Sequence, residues 1–194
     1  MKKFILCALA FALTACQQAP TSYTPEPFAF ESSAVAPWRI NVAEIRIVEG
    51  YQSSLRKPNV EQDFPVPPAH AVKKWVASRL KATGTRGVME ITIRDASVTE
   101  TALPKTEGIT GFFTDDQDAR YDARLVVTMR IFSGVQGISD ATGDVEVTRS
   151  RSINEKATVF ERSQLYHQMT RDMMLSFDSE AEKRLRQYFS AFLN

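Results

Sequence analysis

The chain is short of the residues that most catalytic and metal chemistry needs. It has two cysteines, Cys7 and Cys16, and two histidines, His70 and His167, among 194 residues. Both cysteines lie in the first sixteen positions, so the remainder has no thiol to serve as nucleophile, disulfide partner or soft metal ligand. The two histidines fall in separate segments with no H-E-x-x-H spacing, which leaves a zinc site without ligands. No G-x-S-x-G elbow and no G-x-x-x-x-G-K-[ST] loop occurs, so serine-hydrolase and P-loop chemistry find no support. No cofactor is implied. Charge of one sign is also missing, since 24 Lys and Arg face 23 Asp and Glu. A nucleic-acid partner would ask for a basic excess, and none is expected. No apolar run reaches the 18 or so residues of a membrane-spanning helix, and no repeat of 20–50 residues is visible.

What is present begins at the first residue. Lys2 and Lys3 precede an uncharged apolar stretch, Phe4 to Leu13. At about ten residues it is too short to cross a bilayer but has the size of a signal-peptide core. It ends in Leu13-Thr14-Ala15-Cys16. This motif resembles the lipobox of bacterial lipoproteins. The resemblance implies cleavage between Ala15 and Cys16 and acyl chains on Cys16, which would then tie the protein to a membrane. More than one chain is expected, because a single acyl chain anchors only marginally. In lipoproteins of the enteric type, a residue other than aspartate after the cysteine, here Gln17, implies the outer membrane. The expected location is its inner leaflet, facing the periplasm. Residues 1–15 contain two lysines and no acid, so the mature chain would carry 22 basic against 23 acidic residues.

Three regions are expected: a signal peptide at 1–15, a lipidated tether at 16–37 and one domain at 38–194. Pro20, Pro25, Pro27 and Pro37 among small polar residues suit an extended tether, with a reach of at most roughly 70 Å. Tyr23, Phe28 and Phe30 are unusual in a linker and are expected to dock on the domain.

The periodicity predicts an α+β fold. Its four-stranded, mainly antiparallel sheet has two helices packed on one face, in the order strand, helix, three strands, helix. Trp38–Glu49 reads as one strand with a bulge near Ala43-Glu44, where the apolar parity changes. Gly50–Pro68, rich in proline, is a long connection that is either functional or laid over the body. Pro67-Pro68 opens a helix to about Ala82 with Val72, Trp75, Val76 and Leu80 on one stripe, Gly84 as its cap, and Arg79 snorkelling past the core edge. Val88–Glu100, Arg120–Phe132 and Gly143–Ile153 alternate as strands. From Thr158 the chain reads as helix, with Leu165, Met169, Met173 and Phe177 spaced by four. A kink near Asp178-Ser179 and a capping box at Ser179/Glu182 are expected, because steps of four wind around a straight helix. Leu185, Tyr188, Phe189 and Phe192 continue the apolar side, with Glu180–Arg184 and Glu182–Arg186 as surface pairs. The methionines of this helix are core filler.

The uncovered face of such a sheet would be polar: Glu90, Thr92, Arg94, Asp122, Arg124, Thr128 and Arg130. Arg94, Arg124 and Arg130 are candidate partner-binding residues. Phe112 and Phe113, on a glycine-containing loop, either fold back onto the sheet or contact a partner or lipid. Asp115, Asp116, Asp118 and Asp122 read as a solvated turn, since the glycine and terminal glutamate of a calcium loop are missing. Arg149 and Arg151 share parity with inward Val145 and Val147; either the strand ends before them or they line an anion-friendly edge, and the first is expected.

The lipobox, the tether and the element order together look like the small accessory lipoproteins of envelope transport. Those include the lipopolysaccharide-assembly lipoprotein of the outer-membrane translocon and the auxiliary lipoproteins of ABC-type lipid transporters. The segment Pro104–Tyr121, with Leu103-Pro104-Lys105-Thr106 and Thr114-Asp115-Asp116-Gln117, is similar to a family of uncharacterised bacterial lipoproteins. The resemblance implies a non-enzymatic accessory or binding subunit in envelope assembly or lipid transport, with an envelope protein as possible partner. The alternative is an envelope glycan or lipid hydrolase using Asp115–Asp118.

Overall fold

A computed structural model describes residues 23–31, 34–104, 117–134, 140–154 and 156–194, with Gln117 and Asp118 described by backbone only. The fold is α+β. Strands β2 (Glu44–Glu49), β4 (Val88–Ala102), β5 (Gln117–Phe132) and β6 (Ala141–Asn154) form a four-stranded sheet in the order β2-β4-β5-β6. Helices α1 (Pro68–Arg79) and α2 (Val159–Tyr188) pack on one face of it. β2 runs parallel to β4, across a connection that carries α1. β4, β5 and β6 form an antiparallel meander.

The core follows from alternation on β5. Tyr121, Ala123, Leu125, Val127, Met129 and Ile131 point one way and are all buried. They meet Met89, Ile91 and Ile93 of β4 and the α2 side chains Met169, Met173 and Phe177. Trp75 of α1 stands edge-on to Phe177 at 5.0 Å, joining the two helices over the sheet.

The expected first strand is two strands. β1 (Trp38–Ile40) pairs in parallel with β3 (Leu80–Ala82) in a separate two-stranded sheet, and β2 enters the main sheet. Between them the Val42 N–H returns to the Ile40 carbonyl at 2.8 Å, a γ-turn that re-aims the chain. The parity change at Ala43-Glu44 marks this sheet-to-sheet switch rather than a bulge. The bulge lies in β4, between Ile93 and Asp95. Helix α1 correspondingly stops at Arg79. Leu80 is already extended (φ −120°, ψ 136°), because Leu80–Ala82 is taken up by β1. Gly84 does not cap the helix; it lies against the γ-turn, donating its N–H to the Val42 carbonyl at 3.0 Å.

Arg79 does not snorkel. It is 5% exposed. Its Nε donates to Asp178 Oδ1 at 2.8 Å, and Nη1 donates to the Ala36 carbonyl at 2.7 Å. Trp75 Nε1 donates to the same Asp178 oxygen at 2.7 Å. This clasp ties α1, α2 and the chain entering β1.

Helix α2 is continuous through Asp178-Ser179. Its capping box is Thr158/Glu161, where a turn precedes the helix, and not Ser179/Glu182. The winding stripe needs no kink, because α2 is covered on two sides. The sheet takes Met169, Met173 and Phe177, while the segments before and through α1 bury Tyr166, His167, Thr170 and Met174. Glu182 pairs with Arg186 at 2.8 Å as expected, but Glu180 takes Lys183 at 2.6 Å and Arg184 turns to the Asp144 carbonyl at 3.0 Å. Tyr188, expected inward, is 47% exposed.

The 50–68 connection lies over the body and closes an open strand edge. β2 ends opposite Ile93, so the second half of β4 would present bare backbone. The Val60 N–H instead donates to the Val98 carbonyl at 2.9 Å, and the Glu100 N–H to the Pro58 carbonyl at 2.8 Å. Glu61, 4% exposed, receives the Val98 N–H at 3.1 Å and the Tyr51 hydroxyl at 2.5 Å. Burial works to raise the Glu61 pKa, but donors led by Ser53 and Tyr51 outweigh it and hold the carboxyl below its usual value.

Phe28 and Phe30 dock as expected, at 3% and 4% exposure. Residues 23–31 therefore run along the body and are not part of a free tether.

Candidate interaction face

The even-numbered residues of β5 point away from the helices. Asp122, Arg124, Val126, Thr128 and Arg130 form the middle of the uncovered face, with Glu90 and Thr92 beside them on β4 and Asp144 and Glu146 on β6. The β4 bulge shifts the parity of its second half, so Asp95, Ser97 and Thr99 continue this face. Arg124 is thereby flanked on both sides, pairing with Asp95 at 2.7 Å and with Glu146 at 2.9 Å while its side chain stays 48% exposed. Arg46 pairs with Glu90 at 3.2 Å and Arg120 with Asp122 at 2.7 Å. Thr128, expected at the surface, is buried and donates to Asp144 at 2.6 Å.

Arg130 stands opposite Glu90 in register, yet Glu90 is engaged by Arg46 and by the Thr92 hydroxyl at 3.3 Å. Arg130 and the exposed Arg94 have no ion pair among the described residues. The face thus offers a lattice of satisfied charges with two cationic side chains left over. That suits hydrogen bonding to a polar surface. Asp95 and Asp122 are held ionised and are not poised as general acids. Burial pushes the Asp95 carboxyl upward, but hydrogen bonds from Ser97 and Arg124 hold it below its usual value. Asp122 is likewise lowered, its burial outweighed by Ser150 and Arg120. A general acid near neutrality needs the opposite shift.

Arg149 and Arg151 fall within β6, which runs to Asn154, and the strand does not end before them. Their side chains reach α2. Arg149 contacts the Ser176 hydroxyl and the Asp172 carbonyl, and Arg151 pairs with Asp172 at 2.8 Å. They line no free anion site.

Two features escaped the sequence reading. His167 is 3% exposed, and neither ring nitrogen has a hydrogen-bond partner among the described residues. Burial lowers its pKa; the nearby Glu26 backbone and carboxylate pull it upward, and the charges of Arg171 and Lys74 push it down. Tyr23 and Phe28 cover it, with ring centroids at 5.8 and 5.5 Å. Glu61 was the other, and no spacing in the sequence marks it as buried. A cavity of about 430 Å³ lies beside Ile153, Ala157, Glu161 and Leu165, but the Glu161 carboxylate is committed to the Thr158 cap. Among the described residues no group of three His, Cys, Asp or Glu is placed to hold a metal.

Ala15, Cys16, Phe112, Phe113, Asp115 and Asp116 lie outside the described residues, and Asp118 is described only as backbone of β5.

No family model and no curated protein sequence matches the chain. Among solved structures, a minor lipoprotein from Acinetobacter baumannii is similar at 15% identity and TM-score 0.38, covering 79% of this chain and 96% of that one. A Xanthomonas campestris protein is similar at 8% identity and TM-score 0.33, covering 78% and 95%. The rare lipoprotein B from Shewanella oneidensis is similar at 12% identity and TM-score 0.30, covering 74% and 99%. None lends a residue role to this chain.

Proposed function

We propose that this protein is an envelope lipoprotein, anchored through acyl chains on Cys16 and facing the periplasm from the outer membrane. It serves there as a non-enzymatic binding subunit in envelope assembly or lipid transport. The signal sequence with its Leu-Thr-Ala-Cys ending supports the location. The observation that carries the binding role is the uncovered sheet face, where Arg124 is fixed by Asp95 and Glu146 while Arg94 on β4 and Arg130 further along β5 have no ion pair among the described residues. A partner presenting carboxylates or phosphates would engage those two arginines. The loop carrying Phe112 and Phe113 is the second proposed contact.

The test is a mild-detergent pull-down of the lipidated protein, with proteins and lipids measured by mass spectrometry. Wild type is expected to carry a stoichiometric envelope partner, and Arg94→Glu with Arg130→Glu to lose it at unchanged thermal stability. An identical set of co-purifying molecules from both proteins would remove this face from the account.

A further inference from the structure

One end of the molecule collects exposed apolar side chains. There β4 finishes at Ala102, β5 begins at Gln117, β6 finishes at Asn154 and α2 starts at Val159. Val159 is 83% exposed and Phe160 39%. Val159 lies eighteen residues before Phe177, which is five full turns and therefore the same side of the helix. Phe177 is completely buried. The first turn of α2 thus overhangs the end of the sheet and carries the helix's apolar stripe out with it. Leu55, 71% exposed, sits at the same end. Its position is set by the neighbouring Lys57–Glu100 pair at 2.7 Å and the Asn59–Thr99 bridge. Its φ of 55° is the left-handed conformation that bulky side chains avoid. A leucine held both strained and wet is a functional signal more than a packing one.

The described part of the N-terminal segment begins at this end too. The Tyr23 ring stands edge-on to Phe160 at 5.7 Å. Cys16 is seven residues earlier, so the chain spans at most about 25 Å between them.

We propose that this end is a membrane-contact face, with Val159, Phe160 and Leu55 seated in the headgroup–acyl boundary of the bilayer that holds the Cys16 lipids. The proposal rests on the lipidation reading. The bilayer is the occupant because the short tether keeps this end beside it at high effective concentration, so a contact too weak to bind alone still forms. Lys57 is paired with Glu100, while Arg162 bonds the neutral Tyr121 hydroxyl and Arg56 beside Leu55 is exposed, so a screenable cationic attraction adds to an apolar contact that persists in salt.

The experiment uses the full lipidated protein in phosphatidylethanolamine–phosphatidylglycerol vesicles. A polarity-sensitive dye is placed at Val159→Cys or, at the opposite end, at exposed Thr85→Cys. The dye at 159 is expected to shift to the blue and to be quenched about two-fold by bromines on the upper acyl carbons, since interfacial side chains sit roughly 5–10 Å deep. The dye at 85 is expected to do neither, and 0.5 M salt, about a 4 Å screening length, is expected to weaken the response at 159 without abolishing it. A water-like, unquenched dye at 159 on vesicle-bound protein with an acylated Cys16 peptide overturns the face alone. An unmodified Cys16 peptide overturns the lipidation reading and the face with it. A dye at 159 already shielded before vesicles are added identifies the 105–116 loop or another copy as the occupant and overturns the proposal, as does a response abolished by salt.

Discussion

Replacing Asp178 by alanine would strand a buried charge. One Asp178 oxygen accepts both Trp75 Nε1 at 2.7 Å and Arg79 Nε at 2.8 Å, and Arg79 is 5% exposed. Without the carboxylate, the guanidinium keeps its bond to the Ala36 carbonyl and no counter-charge among the described residues. Breaking a buried ion pair from one side costs about 3–5 kcal/mol, and an orphaned buried N–H about 1–3 kcal/mol more. The Asp178 side chain is itself 26% exposed, so water enters the gap and offsets part of this. The expected net loss is about 3 kcal/mol after that offset. At roughly 2–4 °C per kcal/mol for a chain of this size, Tm falls by about 6–12 °C. Urea unfolding followed by circular dichroism measures both quantities. The double change Arg79→Met with Asp178→Leu removes both charges together and is expected to lose less than Asp178→Ala alone. A loss below about 1 kcal/mol, the figure for an arginine paired in water, would refute the reasoning. So would a double variant no more stable than the single one.

Three further outcomes follow from the same packing. His167 is buried with a lowered pKa, so the folded state binds fewer protons than the unfolded one. Its contribution is complete above the ordinary value near 6.5 and is lost as pH falls below it. His167→Phe should therefore flatten the decline in stability between pH 7 and 5 and gain about 1 kcal/mol at pH 7 by removing unpartnered nitrogens; an unchanged pH profile would contradict this. A Cβ on Gly84 would stand 2.6 Å from the Asn41 carbonyl carbon and 2.8 Å from the Val42 nitrogen. Gly84→Ala should accordingly cost about 1–3 kcal/mol in urea unfolding, because backbone must move. Arg124→Ala should leave Tm unchanged, since both of its pairs are solvent-exposed; a clear drop would mean the face is structural and not available for binding.

The sequence made the large elements legible because their periods are clean. β5 alternates from Tyr121 to Ile131 with Val126 as the one apolar residue on the outward side, and the apolar spacing of α2 is unbroken. It failed where long-range pairing overrode local pattern. Leu80 continues the α1 stripe, but Leu80–Ala82 is drawn into pairing with β1, where Leu80 meets Trp38 42 residues earlier. The pattern Ser/Thr-x-x-Glu occurs at both Thr158 and Ser179, and only the first follows a turn, so the motif alone could not choose. Arg79 and Arg149 looked exposed because their partners, Asp178 and Ser176, lie on a helix far along the chain. On the candidate face, Arg124 and Arg130 were legible from parity. The β4 bulge that brings Asp95 to Arg124 also left a trace, the switch of apolar parity from Met89, Ile91 and Ile93 to Ala96 and Val98 across Arg94-Asp95, which is lost when Val88–Glu100 is taken as one regular strand.

The central claim is that Cys16 holds this domain on a membrane of the cell envelope. It is tested most directly by fractionating cells that express the wild type or Cys16→Ala, and sequencing the N-terminal peptide of each by mass spectrometry. The account predicts wild type in the membrane fraction, beginning at Cys16 with the mass of its acyl chains, and Cys16→Ala without acyl mass and not cleaved before residue 16. A wild-type chain with an unmodified Cys16, or both proteins in the same fraction with the same N-terminus, would contradict it.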